Sequence, residues 1–233
     1  MRRELLFSTR REEWKLRDLQ HPLDLDQLIP GSGPWEVEIG FGKGRYLLEQ
    51  AQAHPERRYL GFEIVSKYFR LLRHRARVRG VDNLLLMRGE ALYALSAVLP
   101  RGFARIVHVY FPDPWPKARH HRRRLFDPRT LDLVLGVLQP DGELWFATDF
   151  IEYGERVAWI LRGHPCLEVH LEPGPWPDGA RTNYEAKYMQ EGRPILRLKA
   201  RWREAPGSDR RLHPEGADGI LSAVTSCPTA PPA

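Results

Sequence analysis

Cysteine is nearly absent: the 233 residues hold only Cys166 and Cys227. The lack of a Cys-x-x-Cys pair argues against a disulfide framework and a thiolate metal site, and fits a reducing cytoplasm. Long apolar runs are missing as well. No stretch approaches the ~20 apolar residues that a membrane span needs. Residues 1–15 lack the apolar core of a signal peptide. A soluble cytoplasmic protein with no membrane partner is the expectation. Histidine pairs at ligand spacing are lacking too. His120 and His121 are adjacent, with no second pair to complete a site, so no metal is expected. No internal repeat is visible. Acidic residues are in deficit, 30 against 36 Lys and Arg, for a net charge of +6. That balance points to an anionic partner, most often nucleic acid. The excess is mainly arginine, whose planar fork suits phosphate and base edges. The length suits one α/β domain with tails and a sizeable core.

What is present concentrates between Val109 and Arg124, V-Y-F-P-D-P-W-P-K-A-R-H-H-R-R-R. An apolar run from Ile106 to Phe111 reads as a buried strand. Prolines 112, 114 and 116 stop it, because proline lacks an N–H and fixes its own φ. Phe111, Asp113 and Trp115 each precede a proline and are expected in extended geometry. A carboxylate and an indole are thereby held just past a strand's carboxyl end, where open α/β sheets bind ligands. Trp115 can stack on a base or pack under the loop, and the sequence leaves both open. Lys117, Arg119, His120, His121, Arg122, Arg123 and Arg124 follow as an anion-binding strip.

Around this stretch the chain reads as three parts. Residues 1–33 form a basic arm with a short helix around Glu12 to Leu19. Residues 34–204 form the α/β domain. Residues 205–233, rich in proline and small side chains, read as a disordered tail. In the domain, Trp35 to Ile39 is a strand, Gly40-Phe41-Gly42-Lys43-Gly44 a turn, and the residues after it a helix, the order of nucleotide-binding folds. The pattern is E-x-G-x-G-x-G, with Glu38 on the strand. An acid there repels a pyrophosphate but suits an ammonium or a sulfonium. Tyr59 to Phe62 is the second strand, ended by Glu63. That acid lies 21 positions past Gly42, near the spacing of one that binds ribose hydroxyls. Ser66 is expected to cap a basic helix closed by Gly80. Glu90 follows a third strand, Leu84 to Met87, where an adenine amino group can be recognised. Ala91 to Leu99 and Thr130 to Leu138 read as helices. Glu143 to Thr148 is a strand with Asp149 at its end, and Ile151 to Leu161 a helix. Leu167 to Leu171 and Ile195 to Trp202 are the last strands. The long loop between them carries Arg181, Thr182, Asn183, Tyr184 and Glu185. Long loops in compact domains are usually functional or disordered, and these polar and aromatic side chains favour function.

V-E-I-G-F-G-K-G, G-F-E, F-P-D-P-W-P-K-A-R-H-H-R-R-R, A-T-D-F and T-N-Y-E together resemble the bacterial tRNA (guanine-N7)-methyltransferase family over about residues 34–204. The third motif is the most specific. The resemblance implies a Rossmann-like class I methyltransferase fold, a seven-stranded, mostly parallel sheet with helices on both faces. It implies S-adenosyl-methionine as cofactor and tRNA as partner, with a variable-loop guanine as target. Glu38, Gly40, Gly42, Gly44, Glu63, Glu90 and Asp113 match cofactor positions, and Asp113 matches the catalytic one. Lys117, Asp149 and Thr182 to Glu185 match substrate positions. Arg119 to Arg124 match a stretch that contacts RNA. Asn183 and Tyr184 stand where many members have Lys-Phe. Methylation of an exocyclic base amine, or a non-catalytic cofactor- and RNA-binding module, are the competing readings. Monomer and homodimer stay open.

Overall fold

The computed structural model describes residues 5–8, 11–15, 19–117, 119–120 and 124–203. Its centre is β3, Trp35–Ile39, in which five consecutive residues are buried. A strand covered on both faces needs such an uninterrupted run. Arg58–Glu63 (β4) and Leu84–Arg88 (β5) extend the sheet to one side in parallel. Ala104–Tyr110 (β6) and Leu138–Thr148 (β7) extend it to the other, also in parallel. Leu196–Trp202 (β9) closes that side antiparallel to β7, and Leu167–Glu172 (β8) pairs antiparallel with β9. These are the seven strands expected, in the order 5-4-3-6-7-9-8.

Two further strands make nine among the described residues. Leu5–Ser8 (β1) pairs antiparallel with the open edge of β5, and Arg11–Lys15 (β2) pairs with β1. The helix expected around Glu12 is therefore a strand as far as Lys15. An open edge offers unpaired backbone groups to any segment that can reach it. β1 also contributes one apolar side chain to each face, Leu6 to one core and Phe7 to the other.

Helices cover both faces. Arg45–Ala53 (α2) and Ser66–Val78 (α3) bury Tyr46, Leu47, Leu48, Phe69, Leu72 and Ala76 on one side. On the other lie Pro128–Gly136 (α5) and Ile151–Arg162 (α6). A short Leu25–Leu28 helix (α1) and the Ala91–Tyr93 turn (α4) join that side, and α4 widens into a π-turn at Ala94–Val98. Ser66 is the first residue of α3 rather than its cap. The capping position falls on Val65, and the Ser66 hydroxyl accepts from Arg70 instead, at 2.8 Å. The long loop before β9 contains a helix, Asn183–Gln190 (α7). Its start was written in T-x-x-E, a capping pattern. Thr182 Oγ1 accepts from the Glu185 amide at 2.9 Å. No helix among the described residues is long and apolar enough to cross a membrane.

Candidate active site

The chain leaves β3 in one direction through α2 to β4, while β6 lies on the other flank of β3. A crevice opens at such a switch point, outside the carboxyl ends of the strands. The glycine turn forms its floor. Gly42 and Gly44 adopt φ of 53° and 69°, the left-handed region that side chains resist. The amides of Gly40 and Phe41 donate to Phe62 O, tying the turn to β4. A Cβ on Gly44 would stand 2.4 Å from Leu72 of α3, so this glycine serves helix packing. A Cβ on Gly40 or Gly42 would meet nothing within 4 Å. Those two face open space, in a cleft of about 240 Å³ that Glu38, Tyr110, Phe111, Thr182, Asn183 and Tyr184 also line.

Glu38 is buried, and its Oε2 has no hydrogen-bond partner among the described residues. Burial, with the nearby charge of Glu63, pushes its carboxyl up to about 8. A buried acid with an orphaned oxygen is costly unless a cation or donor arrives. Glu63 braces the turn: Oε2 accepts from the Gly42 amide and Oε1 from the Val65 amide, each at 2.8 Å. Burial raises its carboxyl too, the amides oppose this, and the charge of Asp113 adds to it. The strand ends thus bring Glu63 within electrostatic reach of both Glu38 and Asp113. Glu90 is exposed at the start of α4, and neither it nor Asp113 is part of the cleft lining.

Two of the three residues expected in extended geometry before a proline depart from it. Phe111 and Trp115 have φ of 51° and 41°. Side chains in that region cost of the order of 1–3 kcal/mol each and persist only where their surroundings enforce them. Here Phe111 N donates to Ala147 O at 2.7 Å, and Arg124 supplies the second anchor. Its Nε donates to Pro114 O at 2.7 Å and its guanidinium lies 4.8 Å from the Tyr153 ring. Arg124 is buried and faces inward. Asp113, Lys117 and Arg119 are exposed. Trp115 sets its ring edge against His120 at 5.7 Å. His121, Arg122 and Arg123 lie outside the described residues.

The remaining candidates divide. Thr182, Asn183 and Tyr184 line the cleft, with Tyr184 53% exposed. Glu185 is fully buried: Oε1 accepts from Arg197 Nε at 2.7 Å and Oε2 from the Arg181 amide at 2.8 Å. Asp149 stands 3.8 Å from Arg193.

A family model described as "Putative methyltransferase" matches residues 32–198. The tRNA (guanine-N(7)-)-methyltransferase of Alkalilimnicola ehrlichii is 39% identical over 189 residues, covering 80% of each chain. This chain belongs to the tRNA (guanine-N7)-methyltransferase family. The enzyme of the same name from Nitrosococcus oceani is 35% identical over 178 residues, covering 76% of this chain and 75% of that one. Among solved structures, the 16S rRNA (adenine(1408)-N(1))-methyltransferase from Catenulisporales acidiphilia superposes with a TM-score of 0.58 at 18% identity, over 86% of this chain and 97% of that one. The 16S rRNA methyltransferase KamB gives 0.59 at 14% identity, over 79% of this chain and 96% of that one. At such identities the likeness is one of fold.

In this family member the cleft rests on a buried polar chain that the sequence motifs did not reveal. Arg181 Nη1 donates to Tyr110 OH at 2.6 Å, and that hydroxyl meets His108 Nδ1 at 2.8 Å. His108 Nε2 and Tyr46 OH both meet Glu36 Oε2 at 3.0 Å, and Arg57 donates to Glu36 Oε1 at 2.9 Å. Burial would raise the Glu36 carboxyl, but His108, Tyr46 and Arg57 bring it down to about 2. The Arg181 guanidinium lies over Trp145 at 4.3 Å and Trp176 at 4.7 Å, and its fork grips Asp178. Cations over aromatic faces gain most when desolvated. Arg181 thereby fixes the segment that carries Thr182 to Tyr184, and its charge partly offsets the burial of Glu38. The available signal was a glutamate and a histidine inside apolar strands, Glu36 and His108.

Proposed function

We propose that this protein transfers the methyl group of S-adenosyl-methionine to N7 of a guanine in tRNA, the variable-loop guanine that the family motifs imply. The observation that carries the reading is the cleft itself. A buried, orphaned Glu38 and an open glycine turn share one crevice, and the loop bearing Asp113 leaves the strand beside it. The names of the relatives support the same chemistry.

The residues present fit the cofactor. Glu38 offers a carboxylate to a cationic amino-acid head. Gly40 and Gly42 leave the space a Cβ would fill, so a ligand can approach their backbone. Bound there, S-adenosyl-methionine supplies an electrophilic methyl on a sulfonium. Glu63 is already spoken for by two amides, so its part includes holding the turn in shape.

Guanine N7 carries a lone pair and no proton, so no residue has to act as a base. The guanine ring instead gains positive charge as the methyl arrives. Asp113, exposed at the rim, supplies negative charge to stabilise it, and preorganised charge of this kind is often the largest catalytic contribution. Tyr184 presents an exposed ring at the cleft for the base. N7 lies on the major-groove edge, which an RNA duplex buries in a deep, narrow groove. The target guanine must therefore sit outside a regular duplex.

The test is transfer of labelled methyl into unmodified tRNA, followed by strand cleavage specific for 7-methylguanine. A single variable-loop cleavage is expected. Asp113→Ala should slow it by roughly a hundred- to a thousandfold. Label without that cleavage would move the reaction to an amine or another ring atom. Absence of label, with cofactor and tRNA both bound, would leave a binding module.

A further inference from the structure

We infer that the solvent-facing stripe of α3 is a second RNA-backbone contact, on the flank of the cleft opposite the proline loop. The inference rests on the tRNA reading above. α3 reads S-K-Y-F-R-L-L-R-H-R-A-R-V and contains no acid. Its buried side is Phe69, Leu72 and Ala76. On the opposite side Lys67, Arg70, His74 and Arg77 follow at the spacing of one helical stripe, all exposed. Side chains three and four apart on a helix are neighbours about 5–6 Å apart.

This charge pattern works against the helix that carries it. Like charges at that spacing are destabilising. A lysine in the first turn also opposes the helix dipole. A stripe serving only solubility would intersperse acids. Lys67, Arg70 and Arg77 make no ion pair with an acid among the described residues. Arg70 donates to Ser66 Oγ and Arg77 lies 5.7 Å from the Phe7 ring, contacts that leave their charge unneutralised. Off the stripe, Arg73 lies 5.8 Å from the same ring, Arg75 donates to Lys43 O at 3.1 Å and, just past the helix, Arg79 donates to Gln52 Oε1 at 2.8 Å. Lys67, Arg70 and Arg77 thus form a row of cations with no acidic partner among the described residues.

Position gives the row its purpose. Tyr68, the neighbour of Lys67, lines the cleft. The helix starts at the carboxyl end of β4 and runs away from the crevice for 13 residues, about 20 Å at the rise of an α-helix. β4 lies on one side of β3 and β6 on the other. An RNA strand whose guanine enters the cleft would meet Lys117 and Arg119 on one flank and the α3 stripe on the other. Such contacts position the backbone without reading sequence.

The experiment is the affinity for unmodified tRNA between 50 and 200 mM salt, for the full chain and for the triple variant Lys67→Ala, Arg70→Ala, Arg77→Ala. Three lost phosphate contacts should flatten the slope of log K against log salt by about 2–3, at roughly 0.7–0.9 per contact. KM for tRNA should rise while kcat at saturation holds. Affinity for S-adenosyl-methionine should stay unchanged, showing the fold intact. The pair Arg75→Ala, Arg79→Ala should leave the slope alone. A triple variant with normal cofactor affinity and the parental slope overturns the inference and leaves N7 methylation standing. A parent chain that binds no tRNA at any salt overturns the tRNA reading and this contact with it.

Discussion

Cofactor binding should be coupled to ionisation of Glu38. In the free protein burial holds this carboxyl at about 8. By simple titration roughly 1% is ionised at pH 6 and about 9% at pH 7. A cationic ligand head pairs with the ionised form, so affinity for S-adenosyl-methionine should climb about ninefold between those pH values. At pH 7 binding should release about 0.9 proton per site, read by calorimetry as an enthalpy that varies with the ionisation heat of the buffer. Glu38→Gln should bind weakly, with a flat profile and no proton release. The same carboxyl acts on the fold. Its folded value lies above the usual 4.5, so its favourable contribution is complete below pH 4.5 and is lost as pH rises to about 8. The limit is roughly 5 kcal/mol, from about 3.5 units at 1.36 kcal/mol each. Without cofactor, the Tm of Glu38→Gln relative to the parent should therefore rise between pH 5 and pH 8. A buffer-independent enthalpy, with equal affinity at pH 6 and 7, would refute the assignment of Glu38 to the cationic head.

Two further outcomes follow from the loop and the turn. Arg124→Ala removes the charged donor to Pro114 O and the contact with Tyr153. It should cost about 1.5–3 kcal/mol by denaturant unfolding and lower kcat, while leaving the salt slope of tRNA binding in place, since the guanidinium faces inward; a lost slope with unchanged stability would contradict this. Gly44→Ala should destabilise the fold most, because its Cβ would stand 2.4 Å from Leu72 on top of the strain of φ 69°. Gly42→Ala, its Cβ pointing into open space, should cost only the strain of a side chain at φ 53°, about 1–3 kcal/mol, and also weaken cofactor affinity. Unfolding curves and cofactor titrations on both variants separate the two roles.

The parallel core and the glycine turn were legible because their signals are local. A strand of alternating apolar and acidic residues, W-E-V-E-I, and three glycines after it fix β3, the turn and Glu38 within ten residues of chain. The N-terminal strands were not legible, because β1 owes its conformation to the unpaired edge of β5, about 80 residues away. α7 was legible in principle, through the threonine and glutamate of its capping pattern, but the prolines and glycines before it read as an uninterrupted loop.

The basic strip shows where sequence alone runs out. Arg119 and Arg124 are the same residue type five positions apart, and nothing local distinguishes them. Arg119 is exposed, while Arg124 turns inward and holds the carbonyl of Pro114. That inward turn explains the other departure, at Phe111 and Trp115. The residue before a proline disfavours compact geometry, a local preference worth less than the two anchors set against it. Those anchors are Ala147 O on β7 and Arg124. The loop that presents Asp113 is therefore shaped from both ends by groups outside the proline motif. Variants at Arg124 should disturb catalysis through loop shape, and variants along α3 should disturb it through RNA affinity. The difference between kcat and KM effects is what distinguishes a shaping arginine from a binding one.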